Sequence, residues 1–334
     1  MDMRFNCFML AGFLSAALMG CATETTTKKT VSVPFLTVQE HYQPIIEHQK
    51  AGIAPQDDTL KKLPEMTAEE LDKLGDTYVS QDNLPMAITQ YEQALKLEPA
   101  RTTTRYKYGM LLLEKGFPEE AYIQLGQVLD EDPTFAMAYI GRGEALLQMD
   151  KEQEAAEEFH RALERDPQLW MAHNYLGILA DRRHLHLSAI KSYQAALAIK
   201  PAEPTVLNNL GMAYYLNGQY REAVNAFHRA LQAGATSPKV ANNLGLALSK
   251  LGRFSEAFDA FRRGTNLAKA FNNVGVTLLE AGEVQRAVSC FQKAIELEPT
   301  FYEKANSNLA HAHHLLERAQ EAGHSQPQQE TACL

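Results

Sequence analysis

The chain has 334 residues, 45% of them hydrophobic and 22% charged, with a formal net charge of −9. That balance is ordinary for a folded protein, and the acidic body without a basic run argues against nucleic acid as the partner. Residues 1–20 contribute one Asp2 and one Arg4, so the acidity belongs to the remainder of the chain.

At the amino terminus, Phe5 through Gly20 form an apolar run interrupted only by Asn6, Ser15 and small residues. As a helix this run would rise about 24 Å, short of the roughly 30 Å hydrocarbon core, which disfavours a membrane-spanning helix. Preceded by Arg4, it reads as the hydrophobic region of an export signal over 1–20. It ends in Leu18-Met19-Gly20-Cys21, which resembles the lipobox of bacterial lipoproteins. The resemblance implies acylation of Cys21, with Met19 an uncommon residue for that motif. Ala22 stands where an inner-membrane retention signal would resemble Asp, so the implied destination is the outer membrane, facing the periplasm. Two or more acyl chains anchor a protein stably where one holds it only marginally.

Residues 21–65 are rich in Thr, Lys, Gln and Pro without sustained periodicity, apart from a short helix expected over Val38–Lys50. This segment reads as a tether.

From residue 66 to 322 the chain is periodic. Glycines stand at 75, 109, 143, 177, 211 and 245, spaced by 34, and then at 275, spaced by 30. Twelve residues after each comes an alanine (87, 121, 155, 189, 223, 257 and 287), and four further on a large apolar or aromatic residue, from Tyr91 to Phe291. Prolines 99, 133, 167, 201 and 299 close most units. Such a repeat predicts stacked helical hairpins. In the unit opening at Pro204, helices are expected over roughly Thr205–Leu216 and Tyr220–Gln232, turning at Asn217-Gly218. Gly211 is expected to face Ala223 where the two helices cross, with Leu210 and Phe227 filling the remaining space. The unit opening at Pro238 is four residues short, and Gly264 is expected to end its second helix about a turn early. Tyr302–Gln320 reads as a capping helix and 323–334 as a disordered tail.

These residues match the tetratricopeptide repeat over 68–301, in seven units. The resemblance implies an all-α superhelical solenoid, right-handed, with a concave groove lined by the first helix of every unit. Solenoids of this kind hold other proteins, so the expected partner is a protein.

The first helices carry Asn208-Asn209, Asn242-Asn243 and Asn272-Asn273, with Asn174 in a partial copy. Stacking would set these amides in rows, where they either pair with the backbone of a bound segment or tie neighbouring helices together. Four residues on lie Ile178, Met212, Leu246 and Val276, an apolar row on the same helix face. The first three units show no such pattern: Asp72, Tyr106 and Ile140 stand at the first position, and Asp76, Met110 and Glu144 at the second. A binding groove is therefore expected in the carboxyl-terminal four units.

Catalytic signals are poor. Neither a phosphate loop nor a nucleophile elbow appears, so neither a cofactor nor an enzymatic role is expected. His311, His313 and His314 lack a carboxylate or cysteine at metal-ligand spacing, and His184 and His186 read as surface residues of a turn. Cys7, Cys21, Cys290 and Cys333 show no framework spacing, and Cys290 reads as a small buried thiol.

The truncated unit running through Leu267–Gly275, and the ending Pro299–Ala305, resemble the repeat lipoproteins of Flp, or tight-adherence, pilus assembly (TadD-like). That resemblance implies a helper for assembly or localisation of a pilus or secretion apparatus, with its secretin channel as a partner. An adaptor for peptidoglycan hydrolases is the alternative.

Overall fold

Each glycine-marked unit becomes one hairpin of helices. The computed structural model describes residues 66–298, 303–321 and 332–334. The expected export signal, Cys21, the tether and its short helix lie outside these residues, as does 323–331 of the tail. Among the described residues there are fifteen α-helices and no strand. The first four units are α1 (Ala68–Ser80) with α2 (Leu84–Leu97), α3 (Thr102–Glu114) with α4 (Pro118–Glu131), α5 (Ala136–Gln148) with α6 (Glu152–Arg165), and α7 (Trp170–Arg182) with α8 (His186–Ile199). The last three are α9 (Pro204–Leu216) with α10 (Tyr220–Gln232), α11 (Pro238–Lys250) with α12 (Phe254–Gly264), and α13 (Leu267–Glu280) with α14 (Val284–Leu297). A capping helix, α15 (Glu303–Glu321), follows. Every helix packs on the next in the chain, and first helices of successive units also touch, as α9 touches α7 and α11. The result is the expected all-α tetratricopeptide solenoid.

The glycine makes room for the ring of the second helix. The atoms nearest to a Cβ on Gly211 would be those of Phe227, with Cε1 at 2.6 Å. The same holds for Gly75 with Tyr91, Gly143 with Phe159, Gly177 with Tyr193, Gly245 with Phe261 and Gly275 with Phe291. In these six units the first helix thus lacks a side chain where one edge of the second helix's ring, sixteen residues on, approaches its backbone; in the second unit Leu125 takes that place against Gly109. All six rings are at most 2% exposed, and burying one contributes about 1.5–3 kcal/mol. The alanines are fully buried and let the helices approach elsewhere.

The tight turns need a left-handed residue. Gly116, Gly218, Gly252 and Gly282 have φ between 73° and 80°, the conformation glycine adopts without a Cβ clash. The other three units place Asp82, Asp150 and His184 at φ 58–59° there instead.

Helix α12 has 11 residues, two to three fewer than the other second helices, as the short unit predicts. Gly264, however, is still helical, and it is required for a second reason. A Cβ there would stand 2.7 Å from both the Pro238 carbonyl oxygen and Asn242 Oδ1 of α11. The expectation for Cys290 is corrected outright: it is disulfide-bonded to Cys333, 43 residues away. Arg286 donates to the Cys333 carbonyl beside it at 3.4 Å. The end of the chain is therefore tied to α14. No helix of the described residues is long and apolar enough to cross a membrane.

Candidate binding face of the first helices

Helical geometry turns two adjacent asparagines in different directions, since consecutive residues on a helix are about 100° apart. Asn209 of α9 looks back and donates through Nδ2 to Asn174 Oδ1 of α7 at 3.1 Å. Asn208 looks forward and accepts from Asn243 Nδ2 of α11 at 3.1 Å. Asn308 of the capping helix donates in the same way to Asn272 Oδ1 of α13 at 2.9 Å. The acceptors Asn174, Asn208 and Asn272 are buried. These amides therefore form a ladder that joins neighbouring units, one of the two roles open to them from sequence. Asn308 lies outside the repeat and was missed, although it stands 36 residues after Asn272, close to the ladder's own spacing of 35.

The ladder has one break. Asn273 makes no such bond to Asn242, and Asn242 Oδ1 is buried without a hydrogen-bond partner among the described residues. The cause is the short unit, which sets these two 31 residues apart instead of 35.

Ile178, Met212, Leu246 and Val276 are half-buried and packed against the core, each with part of its side chain open to solvent. The structure thus brings the apolar row together along the first helices of units four to seven.

In the first units the equivalents of this row are Asp76, Met110 and Glu144, and the two carboxylates have partners on neighbouring helices. Lys107 Nζ lies 2.8 Å from Asp72 Oδ2 and 2.8 Å from Asp76 Oδ2. Burial pulls the Lys107 ammonium down, but the two carboxylates together outweigh it and leave it raised. Asp76 also accepts from Tyr91 Oη at 2.7 Å. Glu144 accepts from Tyr175 Oη at 2.7 Å, and burial pushes its carboxyl up to about 7. Tyr106 Oη is buried with no hydrogen-bond partner.

One network escaped the sequence reading. His186 opens α8 instead of lying in the turn, and its Nδ1 is 3.0 Å from Asp181 Oδ1. Tyr193 Oη donates to the other oxygen of Asp181 at 3.1 Å. Burial raises the Asp181 carboxyl despite these bonds. The signal was present: His186 and Tyr193 stand five and twelve residues after Asp181, across the turn of one hairpin. Among the described residues no cluster of three His, Cys, Asp or Glu is arranged to hold a metal ion.

Tetratricopeptide repeat family models match residues 73–136, 106–168, 140–204, 202–270 and 268–301. No curated protein matches the chain. Among solved structures, PilW, a widely conserved type IV pilus biogenesis factor, is 19% identical, with 58% of this chain and 90% of that one covered at a TM-score of 0.53. PilF of Pseudomonas aeruginosa is 17% identical, covering 64% and 91%, at 0.52. MamA is 29% identical, covering 50% and 91%, at 0.43. With the ring-on-glycine packing repeated through its units and family models matched from 73 to 301, this chain belongs to the tetratricopeptide repeat family of protein-interaction scaffolds.

Proposed function

We propose that this chain is an adaptor of the bacterial envelope, lipid-anchored through Cys21 to the outer membrane and facing the periplasm. It captures a protein segment along the first helices of units four to seven. The observation that carries the binding reading is the half-exposed row Ile178, Met212, Leu246 and Val276. An amphipathic or extended segment gains affinity by covering such a row. Asn209, Asn243 and Asn273 stand three residues before Met212, Leu246 and Val276 on the same helices. The Cys290–Cys333 bond supports an exported protein, because structural disulfides persist in oxidising compartments such as the periplasm.

Within the envelope, the reading we favour is assistance to assembly or localisation of a pilus or secretion apparatus, its secretin among the partners. The motivation is the sequence resemblance around Leu267–Gly275, together with PilF and PilW, to which the chain is similar in fold. The second reading is an adaptor for peptidoglycan hydrolases.

Metabolic labelling with palmitate, followed by membrane fractionation, tests the anchor. Label on the wild type and none on Cys21→Ser is expected, and a soluble unlabelled wild type would end the envelope reading. Co-purification from solubilised outer membranes, with Met212→Glu and Leu246→Glu as groove variants, tests the rest. Pilus or secretion components should be captured by the wild type and lost with these variants. Recovery of hydrolases would favour the second reading.

A further inference from the structure

The inner face of units two to four holds a carboxyl whose charge nothing in the described structure offsets. Elsewhere the carboxylates set among the first helices have cations: Asp72 has Lys107, and Glu158 has Arg142 and Arg161. Glu144 takes part in no ion pair among the described residues, and its one hydrogen-bond partner there is the Tyr175 hydroxyl. It sits in α5 at the position occupied by Ile178, Met212, Leu246 and Val276 in the later units, so it continues the same row.

A second observation comes from the neighbouring first helix. Tyr106 Oη of α3 is buried with no partner, and the Glu144 charge acts on it, adding to the burial that holds the phenol far above its usual range. An orphaned buried hydroxyl is costly, by roughly 1–3 kcal/mol, unless a ligand completes it. One turn before Glu144 on α5 the floor is apolar. Gly141 has no side chain, and a Cβ there would meet Leu125 Cδ1 at 2.7 Å and Met110 Sδ at 2.9 Å, so leucine and thioether fill that space, Met110 standing one turn after Tyr106 on α3.

We infer that Glu144, Tyr106 and Tyr175 form a subsite for a basic side chain, lysine or arginine, carried by the protein segment that the solenoid captures. The carboxylate supplies the counter-charge, the two tyrosine oxygens supply further acceptors, and Met110 lies against the aliphatic stem. A basic side chain offers only donors and a long apolar stem. This set of acceptors above an apolar floor complements both. The inference rests on the groove reading above and specifies its ligand.

The test is selection of a random dodecapeptide display library on the full chain, followed by affinities of the selected peptides. Binders to the wild type should share a Lys or Arg at one position. Replacing that residue by norleucine should weaken binding about tenfold or more, the worth of a buried charge-assisted hydrogen bond. On Glu144→Gln, an isosteric change that keeps the Tyr175 contact, the same replacement should change affinity less than about threefold. Tyr106→Phe, which removes only a hydroxyl, should weaken the basic peptides and spare the norleucine ones, and it keeps the test decisive if Glu144→Gln unfolds. Binders without a basic preference, or a preference that survives Glu144→Gln, would overturn the subsite while leaving the groove intact. A library yielding no binder would sink both.

Discussion

Gly211→Ala tests the packing rule of the whole solenoid. The new Cβ would stand 2.6, 2.7 and 3.0 Å from three carbons of the Phe227 ring. Ordinary carbon contacts are about 3.5–4.0 Å, so the overlap is close to 1 Å and falls on a rigid ring. Phe227 is fully buried, and in a close-packed interior its ring yields only by displacing neighbours. Overpacking of this kind costs about 1–3 kcal/mol, and the upper end applies here. Against it, alanine in a helix interior gains about 1 kcal/mol over glycine. The expected net loss is about 2 kcal/mol, read as a lower urea midpoint at unchanged slope. Gly126→Ala is the control, because it lies within α4 with nothing within 4 Å of its Cβ, and it should raise stability by about 0.5–1 kcal/mol. Adding Phe227→Leu to Gly211→Ala should cost less than the sum of the two single changes, with a coupling of about 1 kcal/mol. If the two alanine variants shift the midpoint in the same direction, or the double mutant is additive, the ring does not need the glycine and the reasoning fails.

Four other outcomes are expected. Cys333→Ser should lose up to about 4 kcal/mol, the loop-closure entropy for a separation near 43 residues, and reductant should lower the midpoint of the wild type only. Asn208→Ala strands the Asn243 amide and should cost about 1–3 kcal/mol, whereas Asn242→Ala removes an oxygen already without a partner and should be near neutral by the same urea measurement. For Glu144 the folded carboxyl is raised from 4.5 to about 7, so the folded state holds the proton more tightly. Its stability contribution is present below pH 4.5 and is lost as pH rises towards 7, at no more than about 1.4 kcal/mol per pH unit. Glu144→Gln should therefore gain on the wild type across that window, and a constant difference between the two would contradict the burial. His184→Gly should gain about 1 kcal/mol at φ 58°, seen as a raised thermal midpoint.

The period was legible because several steric demands recur together: a glycine under a ring, a fully buried alanine, a turn residue and a closing proline. Less legible was which side chain the missing Cβ serves: its nearest neighbours would be the ring atoms of Phe227, sixteen residues on. The Asn-Asn string announced a row of amides but not its direction. Only the 100° step between neighbouring residues sends one back to the preceding unit and the other forward, closing a ladder. Cys333 could not be matched to Cys290 because it lies outside the repeat, where no spacing constrains it. His186 looked like a turn residue because the turn is one residue tighter than its polar string suggests, ending at Leu185 as the helix cap.

The inner face is thus a surface where most polar groups are already satisfied by the next unit. Lys107 holds Asp72 and Asp76 together, and the asparagines hold one another. A ligand that competes with such bonds gains little, since a satisfied hydrogen bond is exchanged for another of similar strength. Under the proposed reading, the places where it would gain most are those left incomplete: Glu144 without a cation and Tyr106 Oη without a partner. Asn242 Oδ1 also lacks a partner, because one unit is four residues short, which denies Asn273 its reach to Asn242 and sets Gly264 of α12 against that oxygen. Beyond Glu144 the apolar row from Ile178 to Val276 supplies area without direction. Direction along the groove would then come from the Glu144 end, so a segment basic at one end would be fixed in a single polarity. Reversing such a segment would set its cation over the apolar row and leave Glu144 unpaired, a mismatch that affinities of a peptide and its reversed sequence would register.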